Sequence, residues 1–129
     1  MSFDWKNYVI LADELRTLQC KGGTEARLRA SVSRGYYGIF HLTRQRLAAE
    51  GLKFGGGTEV HQEVAQALRT SGDPARFALG REIGRLRGYR NMADYEDEIQ
   101  DMAIVEGESL RIHEGILRQL GVTLGRNGK

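Results

Sequence analysis

Cysteine is all but missing from this chain. Cys20 is the only one, so no disulfide can close within it and an oxidising compartment is not implied. Proline is as scarce: Pro74 alone leaves long stretches free of the residue that interrupts helices most strongly. Strand-like alternation is rare as well, which points the same way. No apolar run approaches the length of a membrane span, and Met1, Ser2, Phe3, Asp4 and Trp5 lack the basic-then-apolar order of a secretion signal. A cytoplasmic location with no membrane partner is therefore expected. Histidine occurs three times, and no pair of histidines or cysteines has metal-ligand spacing, so neither a metal site nor a cofactor is expected. Dinucleotide fingerprints, nucleophile elbows and kinase-like sets are also missing.

What is present suits one folded domain. The chain has 129 residues, 40% hydrophobic and 28% charged, enough for a single hydrophobic core and ordinary for a globular protein. One domain over residues 1–129 is expected, with its ordered part about 4–121. The net charge of +2 hides an uneven spread. From Arg81 to Arg90 stand four arginines against Glu82, and from Asp94 to Glu108 stand seven acids and no base. Such blocks are either neighbouring helices that complement each other or a basic surface that meets phosphate or an acidic partner.

Five helices can be read. The first, about Asp4 to Gln19, carries Trp5, Tyr8, Val9, Ala12, Leu15 and Leu18 at helical intervals, with Asp4 or Ser2 as N-cap and Gly22-Gly23 as its end. The second, about Thr24 to Glu50, has the apolar line Leu28, Val32, Tyr36, Ile39, Phe40, Thr43 and Leu47. Lys53 to Thr58 is a glycine-rich connector without the Gly-Lys-Ser/Thr ending of a phosphate-binding P-loop. A third helix spans about Thr58 to Ser71, with Val60, Val64, Ala67 and Leu68 inward. Asp73 caps a fourth with Pro74 in its first turn, running to Tyr89–Met92. The fifth, about Asp97 to Gln119, shows two apolar lines: Met102, Val105, Ile112, Ile116, Leu120 and Ile99, Ala103, Leu110, Leu117. That breadth implies a central helix or one that meets a second chain. A frayed tail from Gly121 onward is expected. The architecture expected is all-α, an up-and-down bundle of four long helices plus a short fifth.

Two places carry chemistry. Leu79, Ile83, Leu86, Arg90 and Ala93 share one helix face, which puts a guanidinium on an apolar stripe. Buried alone it would be prohibitively costly, so it either pairs with Asp94 at i+4 or another helix's carboxylate, or opens on an anion site with Asn91, Asp94 and Tyr95. The second place is Ser31 to His41. Tyr36 and Phe40 lie on its apolar face, and Ser33, Tyr37 and Arg44 on an adjoining polar edge. Gly35 and Gly38 weaken the helix, so each marks a close backbone approach. Of the histidines, His41 is expected to be packed and hydrogen-bonded, His61 solvated at a helix start, and His113 satisfied in the core. Cys20 reads as a small residue near a helix end.

Together, Ser33-Arg34-Gly35-Tyr36-Tyr37-Gly38-Ile39-Phe40-His41 and the later segment Leu86-Arg87-Gly88-Tyr89-Arg90-Asn91-Met92-Ala93-Asp94-Tyr95 resemble HEPN domains. The resemblance is to the small stand-alone prokaryotic kind related to HepT toxins and covers roughly Trp5 to Leu120. It implies an all-α homodimer, often paired with a nucleotidyltransferase antitoxin, whose active members are metal-independent ribonucleases. It would place Arg90, Asn91 and Tyr95 in an RNA or nucleotide-phosphate cleft at the dimer seam, with Ser33 and Tyr37 on its rim. The histidine that the family carries five residues past the arginine is held here by Tyr95, and Asp97 stands where a tyrosine would follow. A phenol with a pKa near ~10 is a poor base at neutral pH, whereas Arg90 suits bidentate phosphate binding. Two alternatives follow: a phosphate-binding protein with or without ribonuclease turnover, and a catalytically silent adaptor that binds a nucleotidyltransferase or senses a nucleotide.

Overall fold

The computed structural model describes residues 2–125, and among these it contains α-helices and no strand. The helices are α1 (Lys6–Leu15), α2 (Thr24–Ala49), α3 (Val60–Arg69), α4 (Pro74–Tyr95) and α5 (Met102–Leu120). The all-helical class read from the sequence is the one observed. The lengths differ from expectation: α2, α4 and α5 have 26, 22 and 19 residues, whereas α1 and α3 have 10 each. No helix among the described residues is long and apolar enough to cross a membrane.

Side chains from other helices set several of the ends. Asp4 Oδ1 accepts the Lys6 N–H at 3.0 Å at the start of α1. Arg27 donates to the carbonyls of Leu15, at 2.8 Å, and Arg16. Those last carbonyls have no partner inside a helix, so α1 stops at Leu15 rather than Gln19. Arg29 does the same for α4, donating to the carbonyls of Ala93 at 3.1 Å and Glu96 at 2.6 Å. That anchorage carries α4 on to Tyr95, past the expected Met92. Asp73 caps α4 by accepting from Ala75, with Pro74 in the first turn as read from the sequence. The cap of α5 is Asp101, which accepts the Ile104 N–H at 3.3 Å. Ile99 therefore precedes α5 and packs, half-buried, against the cluster of Leu28, Val32, Ala93, Met102 and Val105. Gly121 ends α5 at φ 70°, a left-handed conformation that favours glycine. Beyond it, Val122 and Leu124 pack on the main core instead of fraying, while positions 126–129 of the expected tail lie outside the described residues.

The central helix is α2, which touches α1, α4 and α5; of the two places expected for α5, at the centre or against a second chain, the centre is taken by α2. Its whole apolar line, Leu28 through Leu47, is buried, including Thr43. Ala12 meets Ser31 while Val9 meets Gly38, so α1 and α2 run antiparallel. Ser33 meets Asp94 while Tyr36 meets Arg90, and α4 also opposes α2. Gly35 meets His113 while Arg46 meets the Leu120 carbonyl, so α5 runs with α2. Because α3 packs antiparallel to α4, with Leu68 against Gly80 and His61 sharing a groove with Arg87, it also runs with α2.

Both interior glycines of α2 mark the close approaches expected of them. A Cβ at Gly35 would clash with the His113 ring, and one at Gly38 would lie 2.6 Å from Val9 Cγ2 and 3.1 Å from the Trp5 carbonyl oxygen. Gly38→Ala would gain about 1 kcal/mol of helix propensity, against an overpacking cost of about 1–3 kcal/mol. A net loss of stability is expected, read as a lower urea midpoint at unchanged slope. A raised midpoint would contradict the tight α1–α2 contact.

Candidate anion-binding groove

Arg90 occupies the buried stripe of α4 where the sequence placed it, only 7% exposed. Its guanidinium carbon lies 5.3 Å from the Tyr36 ring centre and 5.1 Å from that of Tyr37. Asp94 is its ion-pair partner at i+4, but the gap of 3.8 Å is long beside the ~2.8 Å of a charge-assisted hydrogen bond. Its Nε is buried with no hydrogen-bond partner. The expected pair thus exists, yet holds the charge loosely. Ser33, buried rather than on a rim, donates to Asp94 Oδ2 at 3.2 Å and accepts from Arg34 at 3.1 Å. Tyr37 completes the cluster, its ring centre 5.2 Å from the Arg34 guanidinium carbon and 5.1 Å from that of Arg90. Arg90, Ser33 and Tyr37 are therefore brought together. Asn91 and Tyr95 lie on an exposed neighbouring face of α4, Tyr95 at 73% exposure.

His61 was missed by the sequence reading. Instead of standing in solvent, its ring stacks on Phe40 at 4.2 Å, and its Nδ1 lies 2.5 Å from the Tyr36 hydroxyl. A signal was available: His61, Val64 and Leu68 are spaced by three and four, so the histidine shares the inward face of α3. Burial, then the charges of Arg87 and Arg90, lower the His61 pKa, leaving it neutral at pH 7. Burial pushes the Tyr36 phenol up to about 12 against the opposing pull of the same two arginines, so it keeps its proton. Arg87 is half-buried, its Nε likewise lacks a hydrogen-bond partner, and among the described residues it makes no ion pair.

The other two histidines are packed. His41 stacks on Trp5 at 3.7 Å and its Nδ1 accepts from Arg44 at 3.1 Å, as expected. Burial, Arg44 and His61 lower its pKa to about 4. His113 is buried against Gly35, and burial lowers its pKa to about 4. Its Nε2 has no hydrogen-bond partner, so it is a core histidine but not a satisfied one.

An open groove runs in front of the His61–Tyr36 pair. One lobe is bounded by α3 and α4, with Arg69, Ile83 and Arg87; the other by α2 and the glycine loop, with His41, Arg44 and Gly55. Lys53, Phe54 and His61 belong to both lobes. The glycine segment, expected as a mere connector, is tied down here through a 2.9 Å hydrogen bond from the Gly55 N–H to Glu63. Four cations (Arg44, Lys53, Arg69, Arg87) face the groove against the one carboxylate of Glu63. None of those cations has an ion-pair partner among the described residues. Elsewhere Arg16, Arg29, Arg76, Arg85 and Arg111 are paired with glutamates, whereas Arg81 and Arg118, like the groove cations, form no ion pair among the described residues. The charge blocks of the sequence thus complement each other in part, through Arg85–Glu108 and Arg90–Asp94, and leave the groove positive.

Comparison with known proteins supplies no relative: no family model matches the chain, and neither a curated protein nor a solved structure does so.

Proposed function

We propose that this chain is a HEPN-like protein that binds RNA or nucleotide phosphate, with Arg90 as its central cation. The observation that carries the reading is the pair of under-compensated arginines on α4. Arg87 has no acidic partner among the described residues, and Arg90 has only a carboxylate 3.8 Å away. Arg87 lines the groove, whereas Arg90, 7% exposed, lines neither lobe and lies behind it, so a phosphate seated at Arg87 would supply negative charge and bidentate acceptors within the field of both arginines. Ser33 and Tyr37 hold the Asp94 and Arg90 side chains in place. In this reading the helices form an up-and-down bundle with α3 as an addition. A homodimer in the cytoplasm would present Asn91 and Tyr95 of each copy at a shared seam, where their exposure leaves them accessible. Ribonuclease turnover is the further step, with Tyr95 in the place of the family's histidine.

The test compares the native chain with Tyr95→His in a metal-free ribonuclease assay at neutral pH. Cleavage that rises in the histidine variant is the expected result, since imidazole titrates near neutrality. Cleavage by neither protein would remove turnover from the reading, and a failure of RNA and nucleotides to raise the melting temperature would remove binding. An adaptor role is favoured by one observation: Glu96, Asp97 and Glu98 form an exposed acidic turn with no ion pair among the described residues. Stable co-purification of an untagged nucleotidyltransferase, lost on reversing those three charges, is the outcome expected of that role.

A further inference from the structure

We infer that the groove between α2, the glycine loop, α3 and α4 is a seat for single-stranded nucleic acid, in which Arg87 and His61 together hold one phosphodiester and His61 binds it as the imidazolium. This rests on the phosphate-binding reading above and moves the contact from the α4 motif to a residue of α3.

The geometry supplies both halves of such a seat. Lys53, Phe54 and His61 line both lobes, so the two lie side by side and a strand held in one can reach the other past these side chains. The groove has unpaired cations along its length and aromatic rings at its middle, the combination that holds a backbone while bases stack. His61 is fixed at Nδ1 by the Tyr36 hydroxyl at 2.5 Å, which orients the ring and leaves its other nitrogen as the one available to a ligand. Arg87 lines the same lobe as His61, forms no ion pair among the described residues, and has a buried Nε without a hydrogen-bond partner.

Proton uptake follows from the charges around the ring. From α4, Arg87 and Arg90 face it; from α2, Tyr36, Tyr37 and His41 adjoin it. Arg44, Lys53 and Glu63 share its lobes. In the free protein burial and the two arginines disfavour the imidazolium. A phosphodiester set among them cancels part of that repulsion and favours the charged ring. The ligand and the proton therefore bind cooperatively, and each strengthens the other by the same factor. Tyr36 stays protonated, and His41, with its pKa near 4, stays neutral above pH 5.

The test is fluorescence anisotropy with oligouridylate and oligodeoxyuridylate, both carrying hydroxyl ends so that the ligand does not titrate, at pH 5.5 and 7.5. Native protein is expected to bind about 3–10-fold more tightly at pH 5.5, as a pKa rise of up to about one unit implies. His61→Gln should abolish that difference and, because one of the two groups holding the phosphodiester is lost, bind at both pH values no more tightly than the native protein does at pH 7.5. Arg87→Gln should weaken binding about tenfold or more at both pH values, with circular dichroism confirming the fold of each variant. The His61 ring signal in NMR should titrate at higher pH with the strand bound than without it. Preference for the ribose strand would assign RNA, and equal binding would assign either strand to the same seat. Binding that is independent of pH, or a pH dependence that survives His61→Gln, overturns this inference alone. Absence of binding by either strand at both pH values overturns it together with the phosphate-binding reading.

Discussion

Acidification from pH 7 to about 4.5 should remove roughly 2 kcal/mol of folding stability through His113 alone. The ring is 4% exposed and burial lowers its pKa from 6.5 to about 4. The sign follows from linkage: below pH 6.5 the unfolded chain takes up a proton that the folded chain refuses until pH about 4. The contribution is complete above pH 6.5 and shrinks as pH falls through that window. His41, shifted in the same direction but only half-buried, adds less because solvent screens it. Urea titrations at the two pH values measure the effect, and His113→Leu, an apolar side chain facing Gly35, should flatten most of it. Equal acid sensitivity in the native and leucine proteins would show that another group governs the loss.

Arg90→Ala should cost about 2–4 kcal/mol of stability. A long side chain packed on Tyr36 and Tyr37 disappears, leaving a cavity like those of other large-to-small changes in a core. The alanine variant alone therefore cannot distinguish a structural arginine from a binding one. Arg90→Met can, because methionine fills much the same space without the charge. Asp94 lies partly in solvent, with 28% of its side chain exposed, so losing a cation 3.8 Å away is expected to cost under about 1 kcal/mol. RNA affinity should nevertheless fall about tenfold or more, the loss of roughly 1.4 kcal/mol from one charge-assisted phosphate contact. If Arg90→Met binds RNA as the native chain does, Arg90 serves packing only.

The helices and their inward faces were legible because they depend on local spacing. Leu28 through Leu47 and Leu79 through Ala93 each repeat at three and four residues, and every one of those side chains is buried. Gly35 and Gly38 were legible for a related reason: glycine inside a helix needs a compensating contact, and both have one. Helix ends set by distant side chains were not. Nothing near Tyr95 in the sequence announces that Arg29, on another helix, will tie down the end of α4. The site divides along the same line. The arginine on an apolar stripe and its i+4 acid could be read directly, and both are in place. The meeting of Tyr36 with His61 depends on the path of the connector between α2 and α3, which local spacing does not determine. For that reason local spacing does not reveal the groove, and Asn91, one residue from Arg90 and so turned about 100° from it on the helix, falls with Tyr95 on the exposed face rather than in the cluster.

The most direct test of phosphate binding is the salt dependence of oligouridylate affinity at pH 7.5. Contact between three phosphates and the unpaired cations of the groove would give log affinity against log salt a slope of about −2, at roughly −0.7 per phosphate released from its counterions. Arg87→Gln should make that slope shallower by about 0.7. A native protein with no measurable affinity at low salt, or with one that salt leaves unchanged, would contradict phosphate binding in this groove.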